Sequence, residues 1–224
     1  MQEPIDAKEF LLIQQELERK PLPLNQYRFN SGIGRSQAFG IVNRRSMPPD
    51  YSRLCWMRPY LYKLLLDFAK KHVKIPYTSI TVNMNYQATR HRDHGNIGNS
   101  FLVAFGDYKN GELVIEDGQN KGEYNIKNTP IIADFNKAWH YVKSFTGNRY
   151  SLVFYTLDPK GRGSIDNLPE PDIVFEDDKW YFYRGDERII QGLIHPLKGR
   201  KKKEKEKAAP TFHRTEGEVI ISLS

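Results

Sequence analysis

After Pro76 the hydrophobic period of this chain changes from helical to extended, and no other feature constrains the fold as much. Residues 80–86, 101–108, 112–116, 123–126, 130–135, 139–145 and 150–156 read as short strands. Turn signals such as Asn110-Gly111 and Thr146-Gly147-Asn148 separate them. So many short strands within about eighty residues, with the helices placed earlier, fit a closed or sandwiched β architecture. Of those helices, the first opens at a capping-box pattern, Asp6-Ala7-Lys8-Glu9, carries Phe10, Ile13 and Leu17, and must end before Pro21. Pro59 opens a second, with Leu61, Leu64, Leu65 and Phe68 spaced to pack against a sheet. Residues 21–50 are rich in Pro, Asn, Gly, Ser and Arg and read as irregular chain with one short strand near 38–42.

The chemistry-bearing residues fall at the ends of the expected strands. On extended backbone His91 and Asp93 share a face and can grip one ion together, while Arg92 and His94 look away. His140, 47 residues after Asp93, is the candidate for the missing ligand and would complete a 2-His-1-carboxylate facial triad for Fe(II). The bland alternatives are an Asp-His hydrogen bond near a turn and a satisfied core histidine. Arg149 follows His140 by nine residues, and alternation puts Ser151 on its face. A guanidinium fork beside a hydroxyl suits a ligand carboxylate; a surface salt bridge is the alternative. Asn83 and Asn85 share a face on the strand entering this site, where they can touch a cosubstrate or simply reflect strand polarity.

With 224 residues the chain can bury one substantial core. A single Cys55 cannot form an internal disulfide, the first residues lack a basic stretch followed by an apolar one, and no apolar run approaches about 18 residues. The expectation is a soluble intracellular protein, nuclear or cytoplasmic, and not a secreted one. The net charge of +7 invites a nucleic-acid reading, but residues 198–207 hold seven Lys or Arg and two Glu, so most of the basicity is one tail. Such a run reads as a solvated, disordered or frayed segment that can also contact phosphates. Between the strands and this tail, residues 173–183 look like a hairpin around an acidic turn, packed on the main domain as an edge extension.

Taken in order, His91-Arg92-Asp93, Asn96, the distant His140 and Arg149-Tyr150-Ser151-Leu152-Val153-Phe154-Tyr155 resemble the Fe(II)/2-oxoglutarate dioxygenases. The likeness covers roughly residues 79–156 and is nearest to the TET/JBP branch, which oxidises the methyl group of 5-methylcytosine or thymine in DNA. It implies a double-stranded β-helix with His91, Asp93 and His140 on iron, and Arg149, helped by Ser151, on the distal carboxylate of 2-oxoglutarate. It also implies O2 as cosubstrate, with succinate and CO2 released as a substrate C–H bond is hydroxylated. Asn96 and Tyr155 fill the branch's positions for contacting and stacking on a flipped base. Leu157 stands where those enzymes carry a base-contacting histidine, and a leucine donates no hydrogen bond to a pyrimidine edge.

The sequence therefore predicts an α+β protein with a mainly β core, a double-stranded β-helix with N-terminal supporting helices. Its oxygenase domain would span residues 1–157, with the core at about 77–157; 158–197 would be an extension with the hairpin and 198–224 a basic tail. The expected activity is hydroxylation of a nucleobase methyl group in DNA, with DNA and 2-oxoglutarate as partners. Two competing readings are a protein side-chain hydroxylase of prolyl type and a non-catalytic binding module on the same fold.

Overall fold

The structure, a computed structural model, describes residues 2–24, 32–45, 47–166, 168–190, 193–196, 211–215 and 218–222. A 3-10 turn over Ala7–Phe10, capped by the Asp6 carboxylate accepting from the Lys8 amide at 2.9 Å, leads into α1 (Leu11–Arg19). The strands β1 (Gly32–Val42) and β2 (Asp50–Tyr51) precede α2 (Arg53–Met57) and α3 (Pro59–His72). Next come β3 (Ser79–Ala88), β4 (Asn96–Phe105), β5 (Tyr108–Asn110), β6 (Leu113–Ile115) and β7 (Gly122–Tyr124). The remaining strands of this run are β8 (Ile131–Ala133), β9 (His140–Val142), β10 (Phe145–Gly147) and β11 (Tyr150–Leu157).

Antiparallel pairing arranges these strands in two facing sheets and a two-stranded ribbon of β5 and β10. The larger runs β2-β1-β3-β11-β4-β8; the smaller runs β7-β6-β9 and gains a fourth rung where His91 bridges His140. Strands that alternate between two facing sheets in this order make a double-stranded β-helix, as the sequence predicts. One face of the larger sheet (Ile80, Val82, Phe101, Val103, Phe105, Leu152, Phe154) packs on the apolar stripes of α1 and α3. Phe10 stacks on Phe105 at 4.6 Å, and Phe68 on Phe154 at 6.0 Å. The other face meets the smaller sheet through Leu102, Ala104, Leu113, Ile115, Ile131, Phe135 and Val142. Among the described residues no helix is long and apolar enough to cross a membrane.

Three expectations need correction. The stretch read as irregular chain holds the eleven-residue β1, which pairs with β3 along most of its length. Its first half, Gly32-Ile33-Gly34-Arg35-Ser36-Gln37, carries one β-branched residue, Ile33, between two glycines and no aromatic; the edge of β3 dictates its conformation. The hairpin around Asp177 and Asp178, both left-handed at φ 49° and 59°, is present as β12 (Pro171–Glu176) and β13 (Lys179–Arg184). Two more strands, β14 (Glu187–Ile190) and β15 (Leu193–Pro196), extend it to a four-stranded sheet of its own. That sheet packs on α2 and α3 as well as on the edge strand β2, where Tyr51, Trp56 and Tyr62 surround Phe182 and Arg184 pairs with Asp50 at 3.0 Å. The lysine run from 198 to 207 lies outside the described residues, and beyond it β16 (Thr211–Thr215) pairs with β17 (Glu218–Ser222).

The third correction positions the site. Ile33 pairs with Gln87 and Arg35 with Met84, so Asn85 and Tyr86 together oppose Gly34 and β3 bulges. Asn85 takes a left-handed φ of 50°, and alternation restarts beyond it: Thr81 and Asn83 face the interior, followed by Tyr86 and Ala88. Gly34 makes this possible, since at its φ of +125° an added Cβ would stand 2.1 Å from the Asn85 carbonyl oxygen. Gly34→Ala is expected to lose at least about 1–3 kcal/mol, read as a fall of several degrees in Tm. An unchanged Tm would show that the bulge relaxes at no cost.

Candidate active site

His91 is carried by the bridge between the end of β3 and β9, its N–H and C=O each 3.0 Å from their backbone partners on His140. Asp93 is fixed two residues on by its amide, which donates to the Phe135 carbonyl at 2.9 Å. His91 Nε2 stands 3.3 Å and His140 Nε2 4.0 Å from Asp93 Oδ1, and all three ligand atoms lie within 4.8 Å of one another. Each imidazole is oriented by the carbonyl two residues before it: His91 Nδ1 donates to Thr89 at 2.7 Å and His140 Nδ1 to Ala138 at 3.0 Å. With Nδ1 donating in each ring, Nε2 is the atom that carries the lone pair in the neutral imidazole. Three electron-pair donors thus face one another, which a cation satisfies. Burial holds the His140 pKa below its ordinary value, with Asp93 pulling partly back, and this favours the neutral imidazole that ligation needs.

The carboxylate has its own support. Asn96 Nδ2 donates to Asp93 Oδ2 at 3.2 Å and to Ser100 Oγ at 3.3 Å. Both donors of this amide are therefore committed to the metal side of the site, and the substrate contact expected of Asn96 can draw only on its carbonyl oxygen.

A cavity of about 690 Å³ opens on these groups. Asn83, Asn96, Arg149, Ser151, Tyr155 and Leu157 all line it. Arg149 enters at the start of β11 and Leu157 closes its end, a run of about 26 Å at strand rise. Arg149 is only 2% exposed, and its Nε and Nη2 are buried without a hydrogen-bond partner. Its guanidinium stands over the rings of Tyr108 and Phe145 at 5.4 and 5.7 Å, from the ribbon that β5 and β10 form at this end. Left-handed Gly111, at φ +79°, leaves the room it needs, since a Cβ there would approach Arg149 Cδ and Nε to 3.3 Å. Nearby, Asn83 Nδ2 donates to Ser151 Oγ at 3.0 Å while Asn83 Oδ1 is buried and unpartnered. A buried fork with unspent donors beside a hydroxyl could receive a carboxylate.

Asn85 does not reach this cavity. The bulge turns it outward, where it holds the Arg149 backbone from both sides: its amide donates to the Arg149 carbonyl at 2.7 Å and its Oδ1 accepts from the Arg149 amide at 2.8 Å. Arg92 and His94, expected to look away, both line the cavity, because residues 92–94 are loop and strand parity does not extend to them. Missed by sequence reasoning were Ser36, Ala38 and Asn43, which bring the strand β1 and its exit into the wall, and Tyr86 beyond the bulge. No pattern in residues 32–37 marks Ser36; only pairing with β3 does.

The donor set fits iron. Two imidazole nitrogens and one carboxylate on one side of an open cavity are groups that could hold Fe(II), and a buried arginine beside them could take a carboxylate. No family model matches the chain, and no curated protein does. Among solved structures it is similar to an oxidoreductase of the 2OG-Fe(II) oxygenase family from Burkholderia pseudomallei, at 19% identity over 67% of this chain and 78% of that one, TM-score 0.46. It is also similar to NgTET1 in complex with 5mC DNA, at 15% identity over 68% of each chain, TM-score 0.46. A third is a prolyl-4-hydroxylase from Pseudomonas putida, at 13% identity over 70% of this chain and 90% of that one, TM-score 0.42.

Proposed function

We propose that this chain is an Fe(II)- and 2-oxoglutarate-dependent dioxygenase that hydroxylates the methyl group of a nucleobase in DNA. The observation that carries the oxygenase reading is the convergence of three electron-pair donors at one end of a cavity whose other polar anchor is a buried arginine with unspent donors. Iron and 2-oxoglutarate, when bound, supply the oxidising chemistry that turns O2 and a C–H bond into an alcohol, with succinate and CO2 as by-products. The chain's residues supply placement. His91, Asp93 and His140 hold the metal, Asn96 keeps the Asp93 carboxylate in position, and Arg149 with Ser151 and Asn83 anchors the cosubstrate's distal carboxylate. The apolar walls Leu102, Leu113, Phe135, Val142 and Val153 exclude water from the region between.

The nucleobase assignment rests on the end of the β11 wall away from Arg149. Tyr155 presents an aromatic ring there, and Leu157 an apolar surface. A base must leave the duplex to reach such a site, and an aromatic partner stabilises it by roughly 1–3 kcal/mol. Leu157 offers no hydrogen bond, so discrimination between cytosine and thymine derivatives is expected to be weak. One observation favours the second reading, hydroxylation of a protein side chain: the spent donors of Asn96 remove part of the base contact the first reading uses.

Incubation with Fe(II), 2-oxoglutarate and 5-methylcytosine DNA, thymine DNA or RNA at equal salt, followed by mass spectrometry of the nucleosides, separates the two. Tyr155→Leu, which keeps most of the apolar volume, is expected to reduce base oxidation by about 5- to 150-fold while sparing uncoupled succinate formation. Succinate without any oxidised base, together with a hydroxylated peptide, would transfer the assignment to the second reading.

A further inference from the structure

We propose that Trp139, clasped by Arg90 and Arg92, is a positioning residue that sets the separation of the two imidazoles and through it the metal affinity of the centre. The inference rests on the metal-site reading and adds residues that neither the triad nor the cavity requires. Arg90 and Arg92 flank His91 in the chain, and Trp139 precedes His140. The guanidinium of Arg90 stands 4.1 Å and that of Arg92 4.9 Å from the centre of the Trp139 ring, within cation–π range.

Both cations are fixed in turn by carboxylates from the loop that follows β6. Arg90 Nε donates to Glu116 Oε2 at 2.6 Å, and Arg92 Nη2 to Asp117 Oδ2 at 2.9 Å. The same two acidic residues hold the tryptophan's backbone. Asp117 Oδ1 accepts from the Trp139 amide at 2.6 Å, and the Glu116 amide donates to the Trp139 carbonyl at 2.9 Å. The ring of Trp139 is thus tied to the His91 segment and its peptide to the loop that anchors those arginines. With two guanidiniums and two carboxylates the cluster is neutral, so it has little to offer a phosphate and reads as a clasp instead of a nucleic-acid docking patch.

The clasp acts on the ligands through backbone. Each histidine ring takes its direction from the carbonyl two residues earlier, Thr89 for His91 and Ala138 for His140, so residues 90 and 139 lie inside the two orienting loops. Between these loops the main-chain ties are the reciprocal bonds of His91 with His140. Two bonds form one rung and leave rotation about it open. A ring gripped on the outer side of the same rung removes that freedom.

The test is metal binding by the full chain, with Mn(II) as the probe followed by electron paramagnetic resonance, and Co(II) followed by its visible spectrum. Trp139→Leu is expected to weaken Mn(II) binding by about 10- to 100-fold and to shift the Co(II) bands, with the metal-free Tm recorded alongside. Trp139→Phe keeps an aromatic face for the guanidiniums and should restore binding to within about threefold of wild type. If Trp139→Leu does not fold, Arg92→Met is read in its place, with a several-fold loss expected. Mn(II) affinity and Co(II) bands unchanged in Trp139→Leu, or in Arg92→Met where that variant is read, would overturn the proposal, as would Trp139→Phe binding no better than Trp139→Leu. Absence of Mn(II) binding by the wild type would overturn the metal reading itself, a distinct result.

Discussion

His140→Ala is expected to leave a folded protein that no longer retains iron. Its imidazole is the buried member of the triad at 6% exposure, and the two groups left, His91 and Asp93, sit on a loop that is partly open to solvent. Partners one shell out from a metal typically change affinity by 10- to 100-fold, so losing a ligand from an open three-ligand site should exceed about 100-fold. Succinate formation should fall to background with it. The same loss is expected for Asp93→Ala, with one difference. Asn96 would lose the carboxylate it donates to, so that variant should also unfold at a lower temperature than His140→Ala. Elemental analysis of purified protein, with thermal denaturation in the absence of metal, reads both effects. Stoichiometric iron in His140→Ala would remove it from the ligand set.

How much of this was legible in the sequence depends on whether the relevant contact is local. The change of period after Pro76 gave the strands, and Pro59 with its leucine stripe gave α3, because both patterns repeat within one element. His91 and Asp93 were recognisable from their spacing, although the strand parity invoked for them does not extend into the loop that carries Asp93, and His140 and Arg149 stood out as polar residues beside apolar strands. What failed was parity across a bulge. Asn83 and Asn85 are two apart, yet the residue inserted opposite Gly34 sends one into the cavity and the other to the back of Arg149. The cavity wall from β1 was hidden because Gly32 to Gln37 becomes a strand only by pairing with β3, a contact some fifty residues away that no local propensity records. The clasp on Trp139 was hidden more completely, since it joins residues 90, 92, 116, 117 and 139, each of which alone is an ordinary surface charge or an aromatic.

For Arg149 the expected result is a separation of stability from ligand binding. Burial holds its pKa below the ordinary guanidinium value, with the neighbouring Tyr108 pulling partly back, and its Nε and Nη2 find no partner. A buried charge in that state costs the fold free energy, and an apolar side chain of similar length removes the cost. Arg149→Met should therefore fold with an unchanged or higher Tm in the absence of ligand. It should lose nearly all response to 2-oxoglutarate, because the carboxylate that the guanidinium would hold has no other cation facing it from β11. Arg149→Lys keeps the charge but replaces the fork by a point donor. Hydrogen bonds to charged groups are worth about 1.5–3 kcal/mol, so losing one of two should weaken 2-oxoglutarate by roughly 10- to 100-fold. Thermal shift with Mn(II) present reads this directly, since a ligand that binds only the native state stabilises it in proportion to the logarithm of its concentration over Kd. The wild type should gain stability steadily as 2-oxoglutarate is raised, Arg149→Lys should follow the same curve displaced to higher concentration, and Arg149→Met should stay flat. Superimposable curves for all three proteins would mean that the cosubstrate carboxylate is held by some other group.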